Sequence, residues 1–443
     1  MKFKKFGQIG LALVVSLGLG FGITSCSNNF TVAYLYVTGS QYNQIGGFNI
    51  LNNTGNLTAV SKSPFGSGGT DPVRAVVSTS GRFLYVLNEG APTTDASGNV
   101  TYKGANIAVF SIGGNGTLAF QQSYTSQGTN SFRLGFSSAG SFLYVLDEYT
   151  PQTNAAGDIV TASNVQSDAF PCPDPTTAGL WHPVGDLTAF SVDNNTGRLS
   201  LITNNQVQNP TTGAQLTTFP VGCYPIDQKI SAGFVFVADN GPEPATGQTQ
   251  TIFEYALNSS TGQLTLTQNS EQVTTADQIS AINSDQASKY IYVLDTGGNR
   301  IFNYTIGANG LLQAVTGSPA PNTATASNPI ALTSDSKTKF LYIANAGPSS
   351  GTTNPNSVIT GFTIAANGVL APIAGGTTPT GSGPQCILED PSNQYIYTAD
   401  FVSSTVTGHV LDPNSGVLTD LRNNTSYATV GNPTWCVASG HTD

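Results

Sequence analysis

The chain has 443 residues, of which only 9% are charged, and it contains 49 Gly and 24 Pro. That length allows one large domain or two to three ordinary ones, and a formal charge of −10 argues against nucleic acid as a partner. Long helices need runs of Ala, Glu, Lys and Leu, and none follows the first thirty residues; short Val/Ile/Tyr/Phe runs bounded by Gly, Asn, Pro and Ser predict an all-β chain.

The N-terminal segment stands apart. Lys2, Lys4 and Lys5 precede an apolar stretch from Ile9 to Ile23 that is too short and too glycine-rich for a membrane span. It ends in Ile23-Thr24-Ser25-Cys26, which resembles the bacterial lipobox, whose cysteine receives lipid and becomes the mature N-terminus. The alternative is an ordinary secretory signal with a chance cysteine. Ser27 after the cysteine is non-acidic, which in Gram-negative lipoproteins suggests outer-membrane sorting. The expected division is a signal peptide over 1–25, a short lipidated linker over 26–30 and the folded domain over 31–443. The expected location is the cell envelope, periplasmic or surface-facing, with the lipid as the sole membrane contact. Removal of the three signal lysines takes the formal charge from −10 to −13, which disfavours an acidic membrane surface as a partner.

From Tyr34 onward one unit recurs. Its most regular part is a strand with alternating aromatics: YLYVTG from Tyr34, FLYVLN from Phe83, FLYVLD from Phe142, FVFVAD from Phe234, YIYVLD from Tyr290, FLYIAN from Phe340 and YIYTAD from Tyr395. Each is followed by a second strand, such as IAVFSI at Ile107 or LTAFSV at Leu187. A turn then ends on Gly55, Gly116, Gly197, Gly262, Gly310, Gly368 or Gly416, with an apolar residue just beyond. Before every aromatic strand but the first lies a further strand, such as VRAVVSTSG at Val73. Four strands in each of seven units predict a seven-bladed β-propeller. The first unit lacks its innermost strand, and Pro433-Thr434-Trp435-Cys436-Val437 near the other end supplies one, so the C-terminal strand is expected to complete blade one and close the ring.

Four cysteines remain after Cys26, and an even number in an exported chain suggests two disulfides with three possible pairings. Cys386 opens the inner strand of blade seven, and Cys436 lies almost equivalently in the strand that completes blade one. Neighbouring positions at the channel favour a Cys386–Cys436 bond. Cys172 and Cys223 would then tie an insertion of blade three to the start of blade four. Each loop of about 50 residues is worth about 4 kcal/mol in a chain-entropy model.

Long insertions follow the aromatic strands at Glu89–Ala105, Glu148–Asp186, Asn240–Gln250 and Ala346–Ser357, so they crowd one face and half-cover the channel mouth. Arg74 and Arg133 stand nine residues before their aromatic strands in blades two and three, Glu89 and Glu148 follow those strands, and Trp181 and His182 close the blade-three insertion. Arg74, Arg133 and Trp181 are candidate ligand-binding residues. Glu89, Glu148 and His182 are candidates for activating a water. The alternative is two Arg–Glu pairs that merely bridge blades. The repeated strand-end residues Asn88, Asp239, Asp295, Asn345 and Asp400 read as turn caps, and His409 as a core residue. No metal-ligand cluster, phosphate-binding glycine loop or nucleophile elbow is visible, so no cofactor and no metal is expected.

The series SGRFLYVLN, IAVFSI and NGTL, from Ser80 to Leu118, resembles the lactonase family of seven-bladed propellers, which groups 6-phosphogluconolactonase-like and carboxymuconate-cyclase-like proteins. The likeness extends over about residues 30–440. Members often open an inner strand with Pro-His; the matching positions here read Pro72-Val73, Pro225-Ile226, Pro329-Ile330, Pro384-Gln385 and Pro433-Thr434. Tyr36-Val37-Thr38-Gly39 is also similar to propeller repeats of microbial surface proteins, which bind rather than catalyse. The resemblance implies either an extracytoplasmic hydrolase of a sugar-acid lactone or a non-catalytic envelope module that binds a glycan or a protein. In either case the expectation is a monomer, with a small anionic or sugar-derived ligand in the first.

Overall fold

Every blade is an antiparallel sheet built outward from the channel. The computed structural model describes residues 29–94, 96, 100–150, 152, 153, 159, 160, 172, 184–206, 215–241, 250–273, 275–323, 326–348 and 357–440, and among them there is no helix. The inner strands are Pro72–Val77, Thr129–Phe136, Pro225–Ser231, Ile279–Ser284, Pro329–Ser334 and Pro384–Glu389 for blades two to seven, and Pro433–Gly440 for blade one. Each pairs with its aromatic strand, then a third, then an outer strand. In blades one, three, five and seven the third strand also pairs with a short extra piece, such as Phe65–Gly66 or Ser426–Ala428. The simple four-strand unit read from the sequence is therefore extended there.

The ring closes as expected. Thr31–Gly39 pairs antiparallel with Pro433–Gly440, Val37 opposite Cys436. The Cys386–Cys436 disulfide, with Cα atoms 5.7 Å apart, joins the inner strand of blade seven to this closing strand. The second bond, Cys172–Cys223, also forms.

No single core runs through the domain. The buried apolar residues form seven clusters, one between each pair of adjacent blades. The two sequence repeats meet at these seams. A Cβ on Gly116 would lie 2.4 Å from the ring of Tyr34 in the preceding blade, and the other six turn glycines face the first aromatic of the preceding blade at 2.4 to 2.7 Å. Only glycine fits there, and its φ of 77° at Gly116 suits no other residue so well. The second aromatic then bonds the same glycine's carbonyl. Tyr36 donates to Gly116 at 2.8 Å, Tyr85 to Gly197 at 2.9 Å, Tyr144 to Gly262 at 2.8 Å, Tyr342 to Gly416 at 2.8 Å and Tyr397 to Gly55 at 2.6 Å.

Two seams differ. Between blades five and six, Asn303 on the third strand donates to Gly368 at 2.7 Å, and the buried Tyr292 hydroxyl has no partner. Between blades four and five, Phe236 has no hydroxyl to offer. The residue at the Asn303 position is Glu254, wholly buried, and a Cβ on Gly310 would come within 2.0 Å of its Oε1. Burial pushes the Glu254 carboxyl from 4.5 up to about 7, with the nearby Thr267 opposing. Its two oxygens have no hydrogen-bond partner, and Oε1 lies beside Gly310 as Asn303 lies beside Gly368 next door.

A carboxyl whose folded pKa is raised stabilises the fold while protonated and loses that contribution as pH climbs through about 7. The loss amounts to roughly 2–3 kcal/mol on the alkaline side. Glu254→Gln keeps a donor and removes the titration. Melting curves from pH 5 to pH 9 are expected to fall for the parent protein and to stay flatter for the variant; parallel curves would refute the assignment.

Candidate functional site

The start of each inner strand lies opposite the end of its aromatic strand, as in Pro72 with Asn88 and Pro225 with Asp239, so the channel mouth and the insertions share a face. In all seven blades the register slips by one residue just after the inner strand begins. Such a bulge re-aims the side chain that follows it. The residues after the bulge are Arg74, Arg133, Asp227, Ala281, Ala331, Cys386 and Trp435. Six of these line one central cavity of about 330 Å³, and Cys386 is taken up by its disulfide.

Charge is confined to three adjacent blades of that ring. Arg74 meets Asp227 Oδ1 at 3.0 Å and Arg133 meets the same oxygen at 3.1 Å. The other oxygen, Oδ2, accepts the Ile282 backbone N–H at 3.3 Å. The Arg74 guanidinium lies 3.4 Å above the Trp435 ring, and Arg133 spends one N–H on the Phe132 carbonyl. Desolvation lowers Arg74 to about 9, with Asp227 opposing and Arg133 assisting, so it stays protonated at neutral pH. Lys229 lines the cavity two residues beyond Asp227. Three basic side chains therefore line a cavity with one carboxylate, in a protein whose net charge is −10.

Arg74 and Arg133 thus come together, but not as Arg–Glu pairs between blades two and three. Their partner is Asp227 of blade four. Sequence reasoning missed Asp227 and Lys229. The signal was present: aligned on the strand-opening Pro225, Asp227 sits where Arg74 sits after Pro72. Glu89 stands just beyond its aromatic strand, and Glu148 near the end of the strand Phe142–Tyr149; both are outside the cavity lining. Burial, then Asp71 and Glu148, push the Glu89 carboxyl up to about 7, while Arg133 pulls it down. Glu148 accepts hydrogen bonds from the Tyr149 hydroxyl at 2.8 Å and from the Asn130 amide. Trp181, His182 and Cys26 lie outside the described residues. His409 is buried in blade seven. Asp295 accepts the Gln278 and Gly298 backbone N–H groups, and Asp239 those of Tyr224 and Gly241, as turn caps do. Among the described residues no group of three or more His, Cys, Asp and Glu is placed to hold a metal ion.

The family model described as "Lactonase, 7-bladed beta-propeller" matches residues 27–155 and 311–438, more than half of the chain. No curated protein matches the sequence significantly. Among solved structures, the periplasmic gluconolactonase of Pseudomonas aeruginosa is 14% identical with a TM-score of 0.64, covering 93% of this chain and 100% of that one. A candidate 6-phosphogluconolactonase of Bacteroides fragilis is 16% identical with a TM-score of 0.63, covering 93% and 99%. At these identities the likeness speaks for the fold.

Removing the one carboxylate that both arginines share leaves two guanidinium charges with no counter-charge between them. Asp227→Asn is expected to cost about 3 kcal/mol in denaturant unfolding at low ionic strength, and sulfate should restore part of it by occupying the vacated charge. A variant as stable as the parent, or one indifferent to sulfate, would contradict the clamp.

Proposed function

As the chain belongs to the lactonase family of seven-bladed β-propellers, we propose that it is an extracytoplasmic hydrolase of a sugar-acid lactone held in the central cavity. The carrying observation is the surplus of positive charge there: Arg74 and Arg133 share a single carboxylate oxygen and keep further N–H groups for a ligand. Those groups suit the oxygens of a lactone and the negative charge that grows on its carbonyl oxygen when water adds. Glu89, poised near 7 by burial, is the base for that water. Water adds to the carbonyl carbon, the ring C–O bond breaks, and the proton passes to the departing ring oxygen. His182 and Glu148 remain further candidates for the proton transfer, and Trp181 for ligand contact. No metal or cofactor enters this scheme.

Two disulfides suit an oxidising compartment. The N-terminal pattern supports lipidation at Cys26 and anchoring in the cell envelope; the protein acts as a monomer, and its ligand is a small anionic or sugar-derived molecule. The second reading, a binding module without turnover, is favoured by one observation. The carboxylate within the lining is tied by two arginines, and Glu89 lies outside that lining.

A hydrolysis screen over sugar lactones separates the two. Turnover above the buffer rate is expected for at least one aldonolactone. Arg74→Ala should cost roughly 1.5–3 kcal/mol in kcat/KM, about tenfold or more. Because the base works when ionised, the parent's rate should rise with pH through about 7, and Glu89→Gln should abolish that rise. Anion binding without turnover on any lactone would leave the binding module. Separately, Cys26→Ala is expected to move the protein from the membrane fraction to the soluble one; continued sedimentation with membranes would remove the lipid anchor.

A further inference from the structure

Lys229 has no part in the hydrolysis proposed above. It sits on the inner strand Pro225–Ser231, two residues after Asp227 and hence on the same face. It is half-buried in the cavity wall. Among the described residues its amine has neither a hydrogen bond nor an ion pair. The other described lysines, Lys62, Lys103, Lys289, Lys337 and Lys339, are all exposed. The charged groups that act on it are Asp227, already tied by two arginines, Arg74 and Asp285; desolvation is the largest influence and holds the amine below its ordinary pKa. Desolvation beside another cation is what makes a lysine nucleophilic.

Two arginines that bind carboxylate and a free amine on the same wall suit one class of molecule. We propose that Lys229 captures the carbonyl carbon of a small oxo acid as an imine, while Arg74 and Arg133 hold that acid's carboxylate. This rests on the reading that the cavity takes a small anionic ligand, here through its carboxylate. The neutral amine adds its lone pair to the carbonyl carbon. The nitrogen gives up a proton, the oxygen gains one, and the carbinolamine loses water to leave a C=N bond. No oxidant or reductant is needed. Residues two apart on a strand are on the order of 6.6 Å apart. The flexible lysine stem spans that distance and brings the amine to a carbonyl adjacent to the bound carboxylate.

The test is reductive trapping of the full chain with pyruvate and cyanoborohydride, which fixes an imine as a secondary amine and spares the disulfides. Intact mass and peptide mapping of the parent protein locate the adduct. One saturable adduct on Lys229 is expected. It should be absent from Lys229→Arg, which keeps the charge, and reduced about tenfold or more in Arg74→Ala at the same pyruvate concentration. Thermal denaturation with pyruvate is measured alongside. A stabilising shift without any adduct on Lys229 would overturn the imine and leave the carboxylate site standing. No shift, with adducts only on the exposed lysines, would overturn both.

Discussion

The contact on which the domain depends is made by two aromatic rings and one glycine. The first ring of each blade covers the Cα of the next blade's turn glycine, and the hydroxyl of the second bonds its carbonyl in five of seven seams. Because the apolar clusters lie between blades rather than within one centre, these contacts fix how each sheet sits on its neighbour. Where the second ring lacks its role, a polar residue opposite it on the third strand faces the glycine: Asn303, which bonds the carbonyl, at one seam, and at the other the buried acid Glu254. The last seam, Tyr397 to Gly55, joins blade seven to blade one and needs no different chemistry from the rest.

This even frame carries an uneven channel. The same bulge recurs in all seven inner strands, yet the side chain that follows it is charged in blades two, three and four, small in five and six, sulfur in seven and aromatic in one. Burying Arg74 and Arg133 is costly, and two partners offset it: a shared carboxylate and the face of Trp435. The closing strand therefore contributes to the cavity as well as to the ring. Trp435 lies next to Cys436 in sequence, so the disulfide also anchors the aromatic platform under Arg74.

Much of the fold was legible because both halves of the seam contact are written in the sequence, the aromatic pairs and the turn glycines, and because Pro433–Gly440 had no unit of its own. The Cys386–Cys436 pairing followed from where the blades placed those residues, and Cys172–Cys223 was the pair that remained. The site was less legible. Arg74 and Arg133 were found by counting back from Phe83 and Phe142, but the same count in blade four lands on Pro225. The hairpin there is two residues shorter, with Ile230 opposite Val235 where blade two has Val77 opposite Leu84. Counting forward from the strand-opening proline finds Asp227. Charge alone could not reveal the clamp either. Glu89 and Glu148 are nearer to the arginines in sequence, but they lie at or past the end of the aromatic strand and outside the cavity lining, whereas Asp227 shares the arginines' place after the bulge.

The pairing of Thr31–Gly39 with Pro433–Gly440 gives the chain a direction in time. Thr38 and Thr434, whose hydroxyls meet at 2.9 Å, are 396 residues apart. Emerging N-terminus first, the first strand is 396 residues ahead of its partner and waits for it. During that wait its edge is open, and every other blade can form before blade one is whole. Synthesis thus leaves the earliest blade to be finished last, and the cavity, whose wall includes Trp435, comes into being only at that final step.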